Sequence, residues 1–333
     1  LAPRFLFGPV KSRRLGWSLG IDLVPNKTCS FDCGFCQVGA TTCLTLERRE
    51  YVPTAEVIEE ISAWHAAGGR ADYLTLSGAG EPTLHSRFGD ILRAIPAGTV
   101  GRKALLSNGS LFYLPEVRLA AKAADVVKVS FSAWDEDSFR RLNRPHPALR
   151  LSAIADGIRA FRRDYAGILW VEVFLARGIN DQPDPVSRIA DLVRTFSPDQ
   201  VQLNTVVRSP MDSAVGAVDA EVLFERAKLF GPCEVVCTGV PVTTAGTSGR
   251  DEGKRTATLS GEGYRDRILG VVQRHPSTAE EIAQGLGLEI QVVRAELGVL
   301  RNEGRIEVED RAGRAIWNAA LIPPETRSSP VRC

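Results

Sequence analysis

Three cysteines stand close together in this chain, in Cys29-Ser-Phe-Asp-Cys33-Gly-Phe-Cys36. The CxxxCxxC spacing puts three soft thiolates on one tight loop. Thiolates at that range favour zinc or an iron–sulfur cluster. Three ligands leave a fourth position open, whereas structural zinc sites close with four. The loop therefore reads as a place for chemistry, with a structural zinc site completed by Cys43 as its competitor. Further on, Gly78-Ala79-Gly80-Glu81 joins two glycines, which let a ligand approach the backbone, to one carboxylate. A second CxxxC, Cys233 and Cys237, suits either another cluster or two small buried hydrophobes. On one strand the two thiols would lie about 13 Å apart, too far for one ion, so burial is the favoured reading. Of the scattered histidines, only His146, set between Pro145 and Pro147, is a candidate for the site.

Positioning these groups requires a framework, and the totals allow one large domain plus a small one. The chain has 333 residues, with 44% apolar and 24% charged, as globular proteins do. A formal net charge of +1 gives no broad basic field for nucleic acid. No apolar run reaches the length of a membrane span. The start of the chain lacks the charged-then-apolar pattern of a secretory signal. Seven cysteines, an odd number with three clustered, argue for a reducing compartment and a cytoplasmic protein.

Residues 1–17 read as a loop. Strands are expected at Ser18–Val24, Asp72–Ser77, Arg102–Ser107, Asp125–Ser132, Ile168–Leu175 and Gln200–Val207, with a short addition at Cys233–Cys237. Helical patterns alternate with them, among them Ala55–Ala67, capped by Thr54, and Val186–Phe196. That alternation predicts a parallel sheet wound by βα units. The cysteine loop, Gly78–Glu81, Ser107-Asn108, Ser130, Ser132, Arg177 and Arg208 all fall at or just past strand C-termini. In (β/α) barrels that face carries the active site. The fold expected is α/β, a partial (β/α)6 TIM barrel over residues 1–242.

Strand parity adds one expectation. Val127, Val129 and Phe131 alternate with Lys128, Ser130 and Ser132; Val171 and Val173 with Glu172; Val201 and Leu203 with Gln202 and Asn204. The apolar sets must face the outer helices, so the polar sets point into the barrel. Lys128 and Glu172 would then be paired there, because a lone buried charge costs several kcal/mol.

CxxxCxxC with an aromatic, Phe35, before the last cysteine resembles the signature of the radical S-adenosylmethionine (SAM) superfamily. That resemblance implies a [4Fe–4S] cluster on Cys29, Cys33 and Cys36. The fourth iron would be chelated by SAM, which is cleaved reductively to a 5′-deoxyadenosyl radical that abstracts hydrogen from a substrate. It implies that Gly78, Gly80 and Glu81 receive the SAM amino group. Asn108, Ser130 and Ser132 would contact its carboxylate or ribose, and Phe35 and Asn204 would frame the adenine. A flavodoxin- or ferredoxin-type reductant is implied as partner. Gly20–Pro25, Glu47–Pro53, Ser77–Thr83, Asn143–Pro147 and Val201–Val207 resemble one branch, the wyosine-synthase-like Fe–S oxidoreductases. The resemblance spans roughly residues 8–240. Wyosine synthases carry a second cluster on cysteines before the main motif, and this chain has none before Cys29.

Residues 243–262 read as a linker. Helices over Tyr264–Arg274, from Ser277 or Thr278 to Gln284, and over Glu289–Asn302, then a hairpin near Ala312-Gly313, resemble a winged helix over residues 263–320. Its charges are mixed rather than clustered positive, which favours a protein, peptide or small-molecule partner over nucleic acid. Residues 321–333 are expected to be disordered. Every expected SAM contact lies before residue 243. The competing functions are a wyosine-type tRNA-modifying enzyme and an iron–sulfur or zinc redox-sensing DNA-binding regulator.

Overall fold

The computed structural model describes residues 4–12, 14–25, 27–96, 101–207, 210–236, 242–243, 261–274, 276–311 and 313–320. The chain begins with β1 (Leu6–Ser12) and β2 (Gly16–Ile21), then β3 (Thr28–Cys29) and β4 (Cys43–Leu44) around the cysteine loop. After α1 (Thr54–Ala66) come β5 (Tyr73–Leu76), α2 (Phe88–Ala94), β6 (Arg102–Ser107), α3 (Pro115–Ala121) and β7 (Val126–Ser130). Next are α4 (Glu136–Asn143), α5 (Leu151–Asp164), β8 (Ile168–Phe174), α6 (Pro183–Arg194), β9 (Gln200–Asn204), α7 (Ala220–Ala227), β10 (Cys233–Val236) and β11 (Val242–Thr243). The C-terminal part holds α8 (Gly261–Arg274), α9 (Ala279–Leu286), α10 (Ile290–Asn302), β12 (Ile306–Arg311) and β13 (Arg314–Ala319).

Nine strands form one sheet in the order β1-β2-β5-β6-β7-β8-β9-β10-β11. The strands from β2 to β10 run parallel, while β1 and β11 are antiparallel at the two edges. This is the α/β partial barrel, with β10 added to the six expected parallel strands. Val127, Val129, Val171, Val173, Val201 and Leu203 lie in the core with Ile154, Ile158 and Ile189 of the outer helices and Phe196 just past α6. Ser130, Glu172, Gln202 and Glu234 stand in register across β7, β8, β9 and β10, on the opposite, inner face.

The opening arm differs from the expected loop. Leu6–Ser12 is an edge strand on β2, with its register shifting between Phe7 and Val10 at Gly8-Pro9. Phe7 lies over Gly20, where a Cβ would come within 2.0 Å of the ring. The strand is made by that fit, not by alternation, which Gly8 and Pro9 break. The cap of α1 also differs: Pro53 is the N-cap, and the Thr54 amide donates to Glu50 Oε1 at 2.6 Å.

The C-terminal module has its own core of Ile268, Val272, Ile282, Leu286, Val293, Leu297, Leu300 and Ile306. Thr278 and Glu281 form a reciprocal capping box at α9, and Gly287 ends it at φ +64°. The module is three helices and an antiparallel hairpin, docked on β1. Val10 packs against its core, Arg267 Nη2 donates to the Pro9 carbonyl at 3.2 Å, and Arg274 lies over the Phe7 ring. The expected linker and the last thirteen residues lie outside the described residues apart from the ends of α8 and β11.

Candidate active site

The cysteine loop is tied down from three sides. Cys29 ends β3, whose pairing with β4 fixes the loop's two ends. The segment Asn143–Pro147 clasps it from below. The Asp32 amide donates to the Asn143 and Arg144 carbonyls at 3.1 and 3.0 Å, and the His146 amide donates to Ser30 O at 2.9 Å. Arg144 leaves α4 in the left-handed region, at φ +43°, and its guanidinium pairs with Asp212. From above, Met211 N donates to Cys36 O at 3.0 Å and Asp212 N to Gly34 O at 2.9 Å.

Polar side chains address the sulfurs directly. Asn108 Nδ2 donates to Cys29 Sγ at 3.6 Å and Asn143 Nδ2 to Cys33 Sγ at 3.5 Å. Lys27, 4% exposed, donates from Nζ to Gly39 O at 2.8 Å and to the Cys36 sulfur. Burial pushes its pKa down, but charge on Cys36, Cys29 and Cys33 outweighs burial and holds the ammonium above its ordinary value. Burial, reinforced by the Glu81 carboxylate, pushes the Cys29 thiol up to about 12. Cys33 is raised by burial and by the neighbouring charges of Cys36 and Cys29. The three thiols are thus close enough to repel one another once ionised. Among the described residues no trio of His, Cys, Asp or Glu is arranged around a single ion. A four-iron cluster asks for a different arrangement, with each cysteine on its own iron. Three free thiols with amide and ammonium donors aimed at the sulfurs fit that group. Cys43, the other candidate ligand, is in a disulfide.

The second loop, Gly78–Glu81, leaves β5 against the cysteine strand. Glu81 N donates to Thr28 O at 3.1 Å, and a Cβ on Gly80 would lie 1.8 Å from that same oxygen. Only glycine permits this approach. Glu81, 2% exposed, accepts from Thr83 N at 3.0 Å, Thr83 Oγ1 at 2.6 Å, Ser107 Oγ at 2.8 Å and Asn108 N at 2.7 Å. Burial raises its pKa, and the donors from Thr83, Asn108 and Ser107 work against that. Asn108 therefore bridges the two loops, with its amide on Glu81 and its side chain on Ser30 and Cys29.

The inner strand faces complete the surroundings. Phe35 stacks on Phe174, with centroids 4.2 Å apart, so the ring before Cys36 lies on β8. One layer deeper, about 7 Å along the strand, Lys128 Nζ donates to Glu172 Oε2 at 2.9 Å. Arg14 also pairs with Glu172. Nε and Nη2 of Arg14 and Oε1 of Gln202 are buried with no hydrogen-bond partner among the described residues. Ser130 is half-buried on the same face. Ser132 is occupied otherwise: its hydroxyl accepts from Phe174 N at 2.9 Å and its carbonyl accepts from Asn180. Asn204 Oδ1 accepts from Thr205 N at 3.0 Å. A cavity of about 300 Å³ opens between Cys36–Gly39, Met211, Arg274 and the β12–β13 hairpin.

Other expected residues lie apart from this chemistry. His146 caps its own turn, accepting from Ala148 N. Arg177 latches the loop before α7 through Ala217 O and Asp219. Cys233 is buried in β10 with its thiol pushed up to about 12 by burial. Arg208, Cys237 and His275 lie outside the described residues. Sequence reasoning missed Arg14, Lys27 and Asp22. Lys27 alone carried a signal, a lysine two residues before the first cysteine.

A model of the radical SAM superfamily matches residues 23–186, from the segment before Cys29 into α6. The chain belongs to the radical SAM superfamily. As a radical SAM enzyme it carries a [4Fe–4S] cluster and binds SAM. It is 34% identical over 280 residues to a UPF0026 protein of Helicobacter pylori strain J99, covering 83% of this chain and 86% of that one. It is 31% identical over 309 residues to a protein of Brachyspira hyodysenteriae named GTPase Obg, covering 93% of this chain but only 44% of that one. Among solved structures, TYW1 with a lysine–pyruvate adduct bound is similar at TM-score 0.48 and 16% identity, covering 67% of this chain and 75% of that one. No helix among the described residues is long and apolar enough to cross a membrane.

Proposed function

We propose that this radical SAM enzyme holds its cluster on Cys29, Cys33 and Cys36 and binds SAM between the cysteine loop and Gly78–Glu81. When bound and reduced, the cluster supplies the electron that splits SAM into methionine and a 5′-deoxyadenosyl radical, which takes hydrogen from the substrate. The observation that carries the reading is the junction of the two loops: Glu81 N on Thr28 O, and Asn108 on both Glu81 and Cys29. The backbone of Gly78 and Gly80 receives the SAM amino group, and Glu81 orients that backbone. Its carboxylate oxygens already hold four donors, which supports an orienting role. Ser130 and Asn204 face the methionine carboxylate and the ribose or adenine, Ser132 buttresses Phe174, and Phe35 offers the aromatic wall.

Lys128 and Glu172, joined by Arg14, form the polar floor on which the substrate rests. Their burial keeps bulk water from the reacting atoms. The chain divides into a barrel unit over 1–242 and a winged-helix-like unit over 263–320. Arg294 pairs with Glu280 at 2.9 Å and Arg265 with Glu296 at 2.8 Å. Basic groups engaged in this way support a substrate other than nucleic acid. A flavodoxin or ferredoxin serves as the electron donor.

The test is anaerobic reconstitution followed by reaction with SAM and dithionite. One four-iron cluster per chain and release of 5′-deoxyadenosine are expected. Cys29→Ala, Cys33→Ala and Cys36→Ala should each abolish both, and Cys233→Ala neither. About eight irons per chain, two such clusters, would mean that a further site had been missed.

A further inference from the structure

Asp22 joins three segments of the chain that are far apart in sequence. It follows β2 on the inner face of the barrel. Its Oδ1 accepts from Ala79 N, inside the Gly78–Glu81 loop, at 3.1 Å. Its carboxylate also accepts from the Val24 amide, on the approach to the cysteines. Its Oδ2 accepts from Arg274 Nε, at the end of α8 in the C-terminal module, at 3.2 Å. Both side chains are withdrawn from water, Arg274 to 10% and Asp22 to 13% exposure. Gly78 leaves no slack in this arrangement: it has φ +125°, and a Cβ there would stand 2.7 Å from the Asp22 carboxyl carbon.

Arg274 is itself fixed. Nη1 donates to Gly270 O at 3.1 Å, Nη2 to Arg4 O at 3.3 Å, and the guanidinium lies over the Phe7 ring at 4.9 Å. These contacts hold the guanidinium between α8 and the opening segment of the chain. A carboxylate buried at this depth needs a partner charge, and Arg274 is the cation that meets it. Take that cation away and Asp22 must find water or a proton. Either way it loosens its hold on the Ala79 amide.

We propose that Arg274 is a positioning residue of the SAM site. The C-terminal module, through Arg274 and Asp22, sets the Gly78–Glu81 loop against the cysteine strand. This rests on the reading of that loop as the SAM site. It adds to the sequence reading, in which every SAM contact lies before residue 243, one determinant that lies after it. The module is then part of the cofactor site and not an appendage. The same residue borders the cavity beside Cys36, so one side chain touches both the SAM loop's anchor and the open space next to that cysteine.

The test uses the full chain, reconstituted anaerobically, with SAM affinity measured by equilibrium dialysis and the cluster by its visible absorption. Arg274→Met should keep the cluster spectrum and weaken SAM binding by about tenfold or more, a change of about 1.4 kcal/mol. Arg274→Lys should recover part of the loss. Asp22→Asn in the Arg274→Met background should recover most of it, because a neutral amide oxygen still accepts from Ala79 without needing a cation. A merely structural arginine would predict a lowered unfolding midpoint and no rescue by Asp22→Asn. SAM affinity of Arg274→Met within about twofold of the parent would overturn the proposal, and so would a weakened variant that Asp22→Asn fails to rescue. A parent chain that takes up the cluster but binds no SAM would instead sink the reading of Gly78–Glu81 on which the proposal rests.

Discussion

Lys128, Glu172 and Arg14 form a triad with two cations on one carboxylate, in a part of a barrel that branched apolar side chains ordinarily fill. Groups so placed either waste stability or meet a ligand, since replacing such a pair by apolar residues is often neutral or stabilising. Lys128→Met and Glu172→Gln should therefore leave the cluster spectrum unchanged while lowering substrate turnover at least tenfold, about 1.4 kcal/mol of barrier. Turnover equal to the parent's in both variants would reduce the pair to a strut. At the cysteines, the direction of proton movement gives a second prediction. The Cys29 thiol, pushed up to about 12, is neutral near pH 7 in the apo chain. Cluster ligation needs the thiolate, so loading releases the proton, and raising the pH favours it. Iron uptake at fixed iron and sulfide should rise steadily between about pH 7 and pH 9, below the thiol pKa. A fall over that range would contradict the assignment of Cys29 as a thiol that must lose its proton to bind iron.

At the scale of elements, what could be read from sequence depended on whether an element is made by its own residues. The apolar runs at Val126–Ser130 and Ile168–Phe174 carry their strands with them, and Thr278 with Glu281 announces the start of α9. Parity set Lys128 and Glu172 on the inner face. The edge strand Leu6–Ser12 was not legible, because it exists through Phe7 seated on Gly20, a partner on another strand. Nor was Arg14, which reaches Glu172 across 158 positions of sequence from a turn with no pattern of its own. The Asn143–Pro147 segment could be read as stiff, but not as the clasp under the cysteine loop. One element also shows slack. Gly298 lies inside α10 with nothing among the described residues within 4 Å of where its Cβ would be. Gly298→Ala should stabilise the module by about 0.8–1 kcal/mol through helix propensity alone. Denaturant melts would show a higher midpoint at unchanged slope; an unchanged midpoint would mean that the helix is bound by contacts that alanine disturbs.

On the scale of the whole molecule, an incomplete barrel leaves a seam, and this chain covers one side of it with its own C-terminal module. Arg267, Arg274, Val10 and the Phe7 ring bring α8 and α9 onto β1. The cysteine loop, Pro210-Met211 and the module then bound one space of about 300 Å³. In this arrangement the cysteine loop and a part of the chain beyond the superfamily match meet at one cavity.

The covering of β1 has a consequence for solubility. An edge strand offers unpaired amides and carbonyls to any other extended chain, and proteins blunt such edges with charge, bulges or a covering element. Here the bulge at Gly8-Pro9 protects one stretch, and α8 and α9 shield the apolar side chains beside it. A chain cut after Thr243 would present Phe7 and Val10 to solvent along an open edge. It should self-associate: light scattering at micromolar concentration should show particles growing with time, where the full chain stays monodisperse. Adding a lysine at Val10 of the shortened chain should suppress the growth, as a charge on an exposed edge does. A shortened chain that stays monodisperse without that lysine would mean that β1 needs no cover.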